Sequence, residues 1–146
     1  MSRQIEQLQV RARQLLAEDK PESALELFEK VLSANDATAA DLATALKDKA
    51  VALASMGFMD KARGIFEEVI CRHQYSINPE EKHAVDKSLY NMAVMHQKGG
   101  RAPTAIELYQ KVVLRNSTSS DSKSQRLVAQ CLLYKGNLLN GTEGGY

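Results

Sequence analysis

The chain has 146 residues, with 19 Lys plus Arg against 18 Asp plus Glu, a net charge of +1. That balance argues against a nucleic-acid binder, which concentrates a basic excess on one face, and no run approaches the roughly 18 apolar residues of a membrane span. Five Tyr, three Phe and no Trp, with the apolar content carried by Ala, Leu, Val and Met, favour helix over sheet.

The opening stretch MSRQIEQLQVRARQLL has no apolar core followed by a small-residue cleavage site. It reads as a structural helix rather than a secretory leader, and a cytoplasmic location is expected. Leu8, Ala12 and Leu15 form its apolar stripe, and Pro21 opens a second helix carrying Ala24 and Phe28. A polar connector, SANDATAAD at 33–41, follows. The next helix has the stripe Leu42, Leu46, Ala50 and Leu53, and Gly57 ends it as a residue free to adopt positive φ. Asp60 is expected to cap the helix after it, whose buried face is Ala62, Ile65, Phe66, Val69 and Ile70. After the connector HQYSINPEE at 73–81, Asn78-Pro79 opens a helix through Leu89, Ala93 and His96 to Gly100. Pro103 lies just inside its partner helix, which carries Ala105 and Tyr109. The connector RNSTSSDSKS at 115–124 leads to a last helix with Leu132, Gly136 and Leu139, then a glycine-rich tail at 141–146.

These elements repeat. The small residue in the middle of each first helix falls at 12, 50, 93 and 136, spacings of 38, 43 and 43. In three copies a second alanine follows twelve residues later, at 24, 62 and 105, and an aromatic four beyond that. Asp19 stands where the other copies have Gly57 and Gly100. A small residue lets two antiparallel helices approach closely, and the aromatic fills space towards the neighbouring pair. One helix pair cannot bury its apolar face alone, whereas stacked pairs can.

The pattern Leu-x3-Ala-x2-Leu…Gly…Ala-x3-Phe resembles the tetratricopeptide repeat over about residues 3–140. It departs from that family in having Leu8, Leu46, Leu89 and Leu132 for the tryptophan, no terminal proline, and a stretched period. The resemblance implies an all-α fold: a right-handed α-solenoid of three antiparallel helix pairs plus a C-terminal capping helix, forming a single domain over 1–146. Its repeats would be about 3–36, 41–76 and 83–117, with a half repeat at 122–140. Gln125, Arg126, Gln130, Lys135, Asn137 and Asn140 supply the polar outer side a cap needs.

The residues offer little chemistry. Cys71 and His73 are two residues and not a metal site, and no Cys/His set has zinc-ligand spacing. His96 replaces Leu15 and Leu53 and reads as a partly buried structural histidine. Gly99-Gly100 ends a helix rather than cradling phosphate, and no G-x-S-x-G elbow occurs. Both cysteines sit in apolar helical stretches and are expected as reduced, buried thiols. No enzyme and no cofactor are expected.

What the resemblance implies is a surface. The family's groove-facing positions on the first helices fall here on Gln9, Arg13 and Leu16; on Lys47, Val51 and Ala54; on Lys87, Tyr90, Val94 and Lys98; and on Leu133, Asn137 and Asn140. Arg13, Lys47, Val51, Lys87, Tyr90, Val94, Lys98 and Asn137 are the residues expected to carry binding. Cations interleaved with Val and Tyr suit a protein or peptide partner with acidic and apolar elements. The family's clamp for chaperone tails is incomplete: Lys47 and Asn91 fit, but Val51, Gln130 and Tyr134 do not. The implied function is a non-catalytic interaction module or adaptor. The alternative is a self-associating scaffold, a homodimer joined through its open terminal repeat.

Overall fold

The computed structural model describes residues 2–141, and every regular element in them is an α-helix. They are α1 (Ser2–Ala17), α2 (Pro21–Leu32), α3 (Ala39–Ser55), α4 (Met59–His73), α5 (Pro79–Lys98), α6 (Ala102–Arg115) and α7 (Ser122–Leu139). Of the tail expected at 141–146, all but Gly141 lies outside the described residues.

Three first helices end in the same left-handed turn. Asp19 has φ 61°, Gly57 φ 90° and Gly100 φ 78°. At each, two hydrogen bonds close the helix end. The amides of Asp19 and Lys20 donate to the carbonyls of Leu16 and Leu15, at 3.0 and 2.8 Å. Gly57 and Phe58 donate to Ala54 and Leu53 at 3.0 and 2.9 Å, and Gly100 and Arg101 to Gln97 and His96 at 3.1 and 2.8 Å. This pattern satisfies carbonyls that a helix end leaves open and reverses the chain within two residues. As a result α2, α4 and α6 all begin nine residues after Ala12, Ala50 and Ala93.

Helix starts follow local chemistry. Pro21 and Pro103 occupy the first two positions of α2 and α6, where a missing N–H costs nothing. The Thr38 hydroxyl accepts from the Asp41 amide at 3.1 Å while the Asp41 carboxylate accepts from the Thr38 amide at 2.9 Å. That reciprocal cap starts α3 at Ala39, inside the stretch expected as connector. The Asn78 side chain accepts from the amides of Glu80 and Glu81, both at 3.0 Å, at the head of α5. Asp121 accepts from Ser124 at 3.0 Å at the head of α7. Asp60 does not cap α4. The turn through Gly57 makes Phe58 the residue before the helix, with no side-chain cap. Asp60 therefore falls in the first turn, where it favours the helix dipole and pairs with Arg63 at 3.0 Å.

The fold divides after Val85 into two compact units. In the first, α1 packs on α2, α2 on α3 and α3 on α4. Phe28, fully buried, is set among Ala12, Leu15, Ala24 and Ala52, and Ile5, Val31 and Ala45 form an adjoining cluster. On α4, Ala62, Phe66 and Val69 are buried, with Ile65 and Ile70 half-buried at the edges of that face. In the second unit, α6 packs on α7, and Leu89, Ala93, Tyr109, Val112, Leu127 and Cys131 are buried. Tyr109 is the one polar member of the aromatic series, and its hydroxyl donates to Gln97 Oε1 at 2.6 Å, which meets the need of a buried phenol.

A left-handed residue with a side chain carries a penalty of about 1 kcal/mol that glycine avoids. Asp19→Gly should therefore raise the melting temperature by roughly 3–5 °C. Gly57→Ala should lower stability by about 1–2 kcal/mol although an added Cβ there meets nothing within 4 Å. Thermal unfolding of the two variants checks both signs.

Candidate interaction surfaces

In the first unit the side chains of Arg13 on α1 and Lys47 on α3 converge on one carboxylate, Asp48. Lys47 Nζ lies 2.6 Å from Asp48 Oδ1 and Arg13 NH1 3.4 Å from Oδ2. Asp48 is 5% exposed, so burial would penalise its charge severely without these two cations. The pair of cations is thereby held in place and half neutralised. Val51, one turn beyond Lys47, is half-buried. Gln9, expected to face a groove, is instead buried, with its Nε2 donating to the Asp41 carbonyl at 3.2 Å. An amide with both α1 and α3 within reach ties the helices together rather than facing solvent.

In the second unit Lys87, Tyr90 and Val94 fall at i, i+3 and i+7 of α5, one helix face. The Lys87 ammonium sits 5.3 Å from the centre of the Tyr90 ring, a cation–π distance. Tyr90 stacks on Tyr134 of α7 with centroids 6.1 Å apart, and Tyr109 meets both rings at 6.1 and 5.9 Å. Burial, then a hydrogen bond with Tyr134, holds the Tyr90 phenol well above its ordinary range. Lys98 is exposed, and Asn137 on α7 is half-buried.

Behind this face lies Asp86, 1% exposed. It accepts from Arg115 Nε at 2.6 Å and from Asn116 Nδ2 at 3.1 Å, and Asn116 also donates to the Val112 carbonyl at 2.8 Å. Asp86 joins α5 to the end of α6. Its equivalents in the first two copies are Ile5 and Ala43. A carboxylate at an otherwise apolar position is the sequence signal for a buried ion pair, and only its partner is unreadable there.

The two cysteines differ. Cys131 is fully buried, but Cys71 is exposed, against expectation. Ile70 and Arg72 flank it on α4, and it is Val69 and His73 that turn inward. Burial first, then the Asp86 carboxylate, push the Cys131 thiol up to about 12, with Lys87 pulling the other way. His73 Nδ1 lies 2.7 Å from Glu81 Oε1, joining the end of α4 to the first turn of α5. His96 is half-buried, and its Nδ1 accepts from Arg101 Nε at 2.8 Å. Among the described residues no three His, Cys, Asp or Glu side chains gather where they could hold a metal ion, and no helix is long and apolar enough to cross a membrane.

In comparisons with known proteins, the chain matches no protein-family model, no curated protein and no solved structure.

Asp86→Ala should destabilise the protein by about 3–5 kcal/mol, because it removes the buried carboxylate that accepts from both Arg115 and Asn116; denaturant unfolding measures it. At pH 8 one thiol should react promptly with a thiol reagent, and Cys71→Ser should remove that signal. The unfolded chain releases the Cys131 proton near pH ~8.5, whereas the folded chain holds it until about 12. Stability from this group is therefore complete below the lower value and lost as pH rises through the window. Cys131→Ala should flatten the alkaline loss of melting temperature.

Proposed function

We propose that this chain is a non-catalytic interaction module whose helix pairs stack as a tetratricopeptide-type α-solenoid. The partly exposed faces of its first helices would hold a segment of a partner protein. The repeated pair geometry supports the architecture: a left-handed turn at the equivalent position of each pair, second helices that all start nine residues after Ala12, Ala50 and Ala93, and full burial of those three alanines. The observation that carries the functional reading is the ordering of cations beside apolar side chains on those faces. Arg13 and Lys47 are held by Asp48 with Val51 one turn away, and Lys87 lies over Tyr90 with Val94 one turn on. Positioned cations lose less side-chain entropy on binding than free ones. The fitting partner is an extended or helical segment with acidic and apolar residues. Free thiols at Cys71 and Cys131 suit a reducing compartment such as the cytoplasm.

Val51→Glu in the first unit, and Val94→Glu with Lys98→Glu in the second, change these faces without touching Asp48 or Asp86. A tagged pull-down from source-cell lysate should recover a partner with the native chain and lose it with one or both variants, while far-ultraviolet circular dichroism shows both variants still helical. Recovery of the same partner by both variants would remove the reading. A self-associating scaffold is the alternative, and concentration-dependent mass separates it from the module.

A further inference from the structure

The chain has asparagines at 35, 78, 91, 116, 137 and 140. An asparagine loses its side-chain amide without an enzyme when the backbone nitrogen of the next residue reaches its Cγ. That attack is opposed by a nitrogen held in a helix ladder, by a side-chain amide held by partners, and by a bulky or charged neighbour. All but one of these asparagines meet such an obstacle. Pro79 follows Asn78 and has no N–H to lose. Met92 and Leu138 follow Asn91 and Asn137 inside α5 and α7, where their amides belong to the ladder. Asn116 is 3% exposed, and its Nδ2 donates to Asp86 at 3.1 Å and to the Val112 carbonyl at 2.8 Å. Asn35 is exposed, but Asp36 follows it, and that carboxylate disfavours the anionic nitrogen the attack needs.

Asn140 differs on each count. It is exposed and stands just beyond the end of α7. Gly141 follows it, so no side chain obstructs the approach. Gly141 has φ 67°, a conformation in which a side chain would be strained. Its amide nitrogen lies 3.3 Å from the Leu138 carbonyl, beyond the ordinary range of such bonds, and helix ends open at little cost. Both reacting groups belong to one dipeptide, so the chemistry requires no partner and no other stretch of chain.

We propose that Asn140 is a site of spontaneous deamidation in the folded protein. Base takes the proton from the Gly141 nitrogen, which then bonds to Asn140 Cγ. The Cγ–Nδ2 bond breaks, and ammonia leaves with a proton from water. The five-membered imide that results is opened by a second water at either carbonyl. One opening gives aspartate, and the other gives isoaspartate, in which the main chain runs through the former side chain. The net change is one water consumed and one ammonia released, with no oxidation. The product is a carboxylate at the end of α7, a helix with Lys123, Arg126 and Lys135 and no acidic residue. A helix C-terminus is the negative end of the dipole, so the new charge loosens the last turn.

The intact chain is incubated at mildly alkaline pH, in buffer and in urea, then digested with trypsin and mapped by mass spectrometry. The tryptic fragment that begins at Gly136 holds both Asn137 and Asn140, and its fragment ions separate the two. In buffer, Asn140 should convert to a mixture of aspartate and isoaspartate at a rate within about threefold of that in urea, because the end of the helix opens so readily. Asn35, Asn91, Asn116 and Asn137 should keep their amides over the same interval. The rate at Asn140 should rise with pH, and Gly141→Ala should slow it about tenfold. Asn140→Asp, which reproduces the new charge, should lower the melting temperature by roughly 1–3 °C. An Asn140 amide that survives in the folded chain while it is lost in urea overturns the proposal. So does faster conversion at Asn35, Asn116 or Asn137, or a rate indifferent to Gly141→Ala.

Discussion

The left-handed residue at 19, 57 and 100 is the constraint on which the helix pairs depend. It reverses the chain in two residues, so the second helix must return along the first. It also fixes the phase: with the turn set, Ala24, Ala62 and Ala105 each fall fourth in their helices and are fully buried. A fully buried alanine on each helix of a packed pair leaves little room for a larger side chain there. The aromatic one turn later reaches the next helix: Phe28 packs with Ala52 of α3, and Tyr109 meets Tyr134 of α7. A change in the turn would misplace every contact downstream of it within that pair.

The same frame gives two buried carboxylates separate structural tasks. Asp48 gathers cations from α1 and α3 and so sets how two first helices lie side by side. Asp86 binds the end of α6 back to α5. Neither is a stability device in any simple sense, since an apolar residue of similar size would avoid desolvation altogether. What they provide is order on a surface: a lysine or arginine held by a buried acid presents its remaining donors in one direction. Lys87, poised on Tyr90, is ordered by a ring instead of an acid.

The parts of this fold written in local chemistry are legible in the amino-acid sequence alone. Helix ends at Gly57 and Gly100, starts at Pro21, Pro103 and Asn78, and the stripes through Ala50 and Ala93 all depend on residues within one or two turns of each other. The features that are not legible share a cause in longer range. Asp60 reads as a cap because acids favour helix starts, and only the turn before it shows that the start lies two residues earlier. Cys71 sits in an apolar run, Val69-Ile70-Cys71, whose inward face is decided by the helix it packs against. Gln9 is polar yet buried because its acceptor, the Asp41 carbonyl, lies 32 residues away. Asp86 meets its partners at separations of 29 and 30 residues. Of the eight side chains expected to bind a partner, the structure brings Arg13 together with Lys47 and Lys87 together with Tyr90. It does so through Asp48 in one case and directly in the other.

The tyrosine cluster has a spectroscopic meaning as well as a packing one. The chain has no tryptophan, and three of its five tyrosines, Tyr90, Tyr109 and Tyr134, interlock in the second unit with centroids about 6 Å apart. Rings that close and that unequally oriented couple their transitions and lose their freedom to average them out. Near-ultraviolet circular dichroism of this protein is therefore dominated by α5, α6 and α7, whereas the far-ultraviolet signal sums all seven helices. The molecule carries, without any label, a reporter confined to one of its two units.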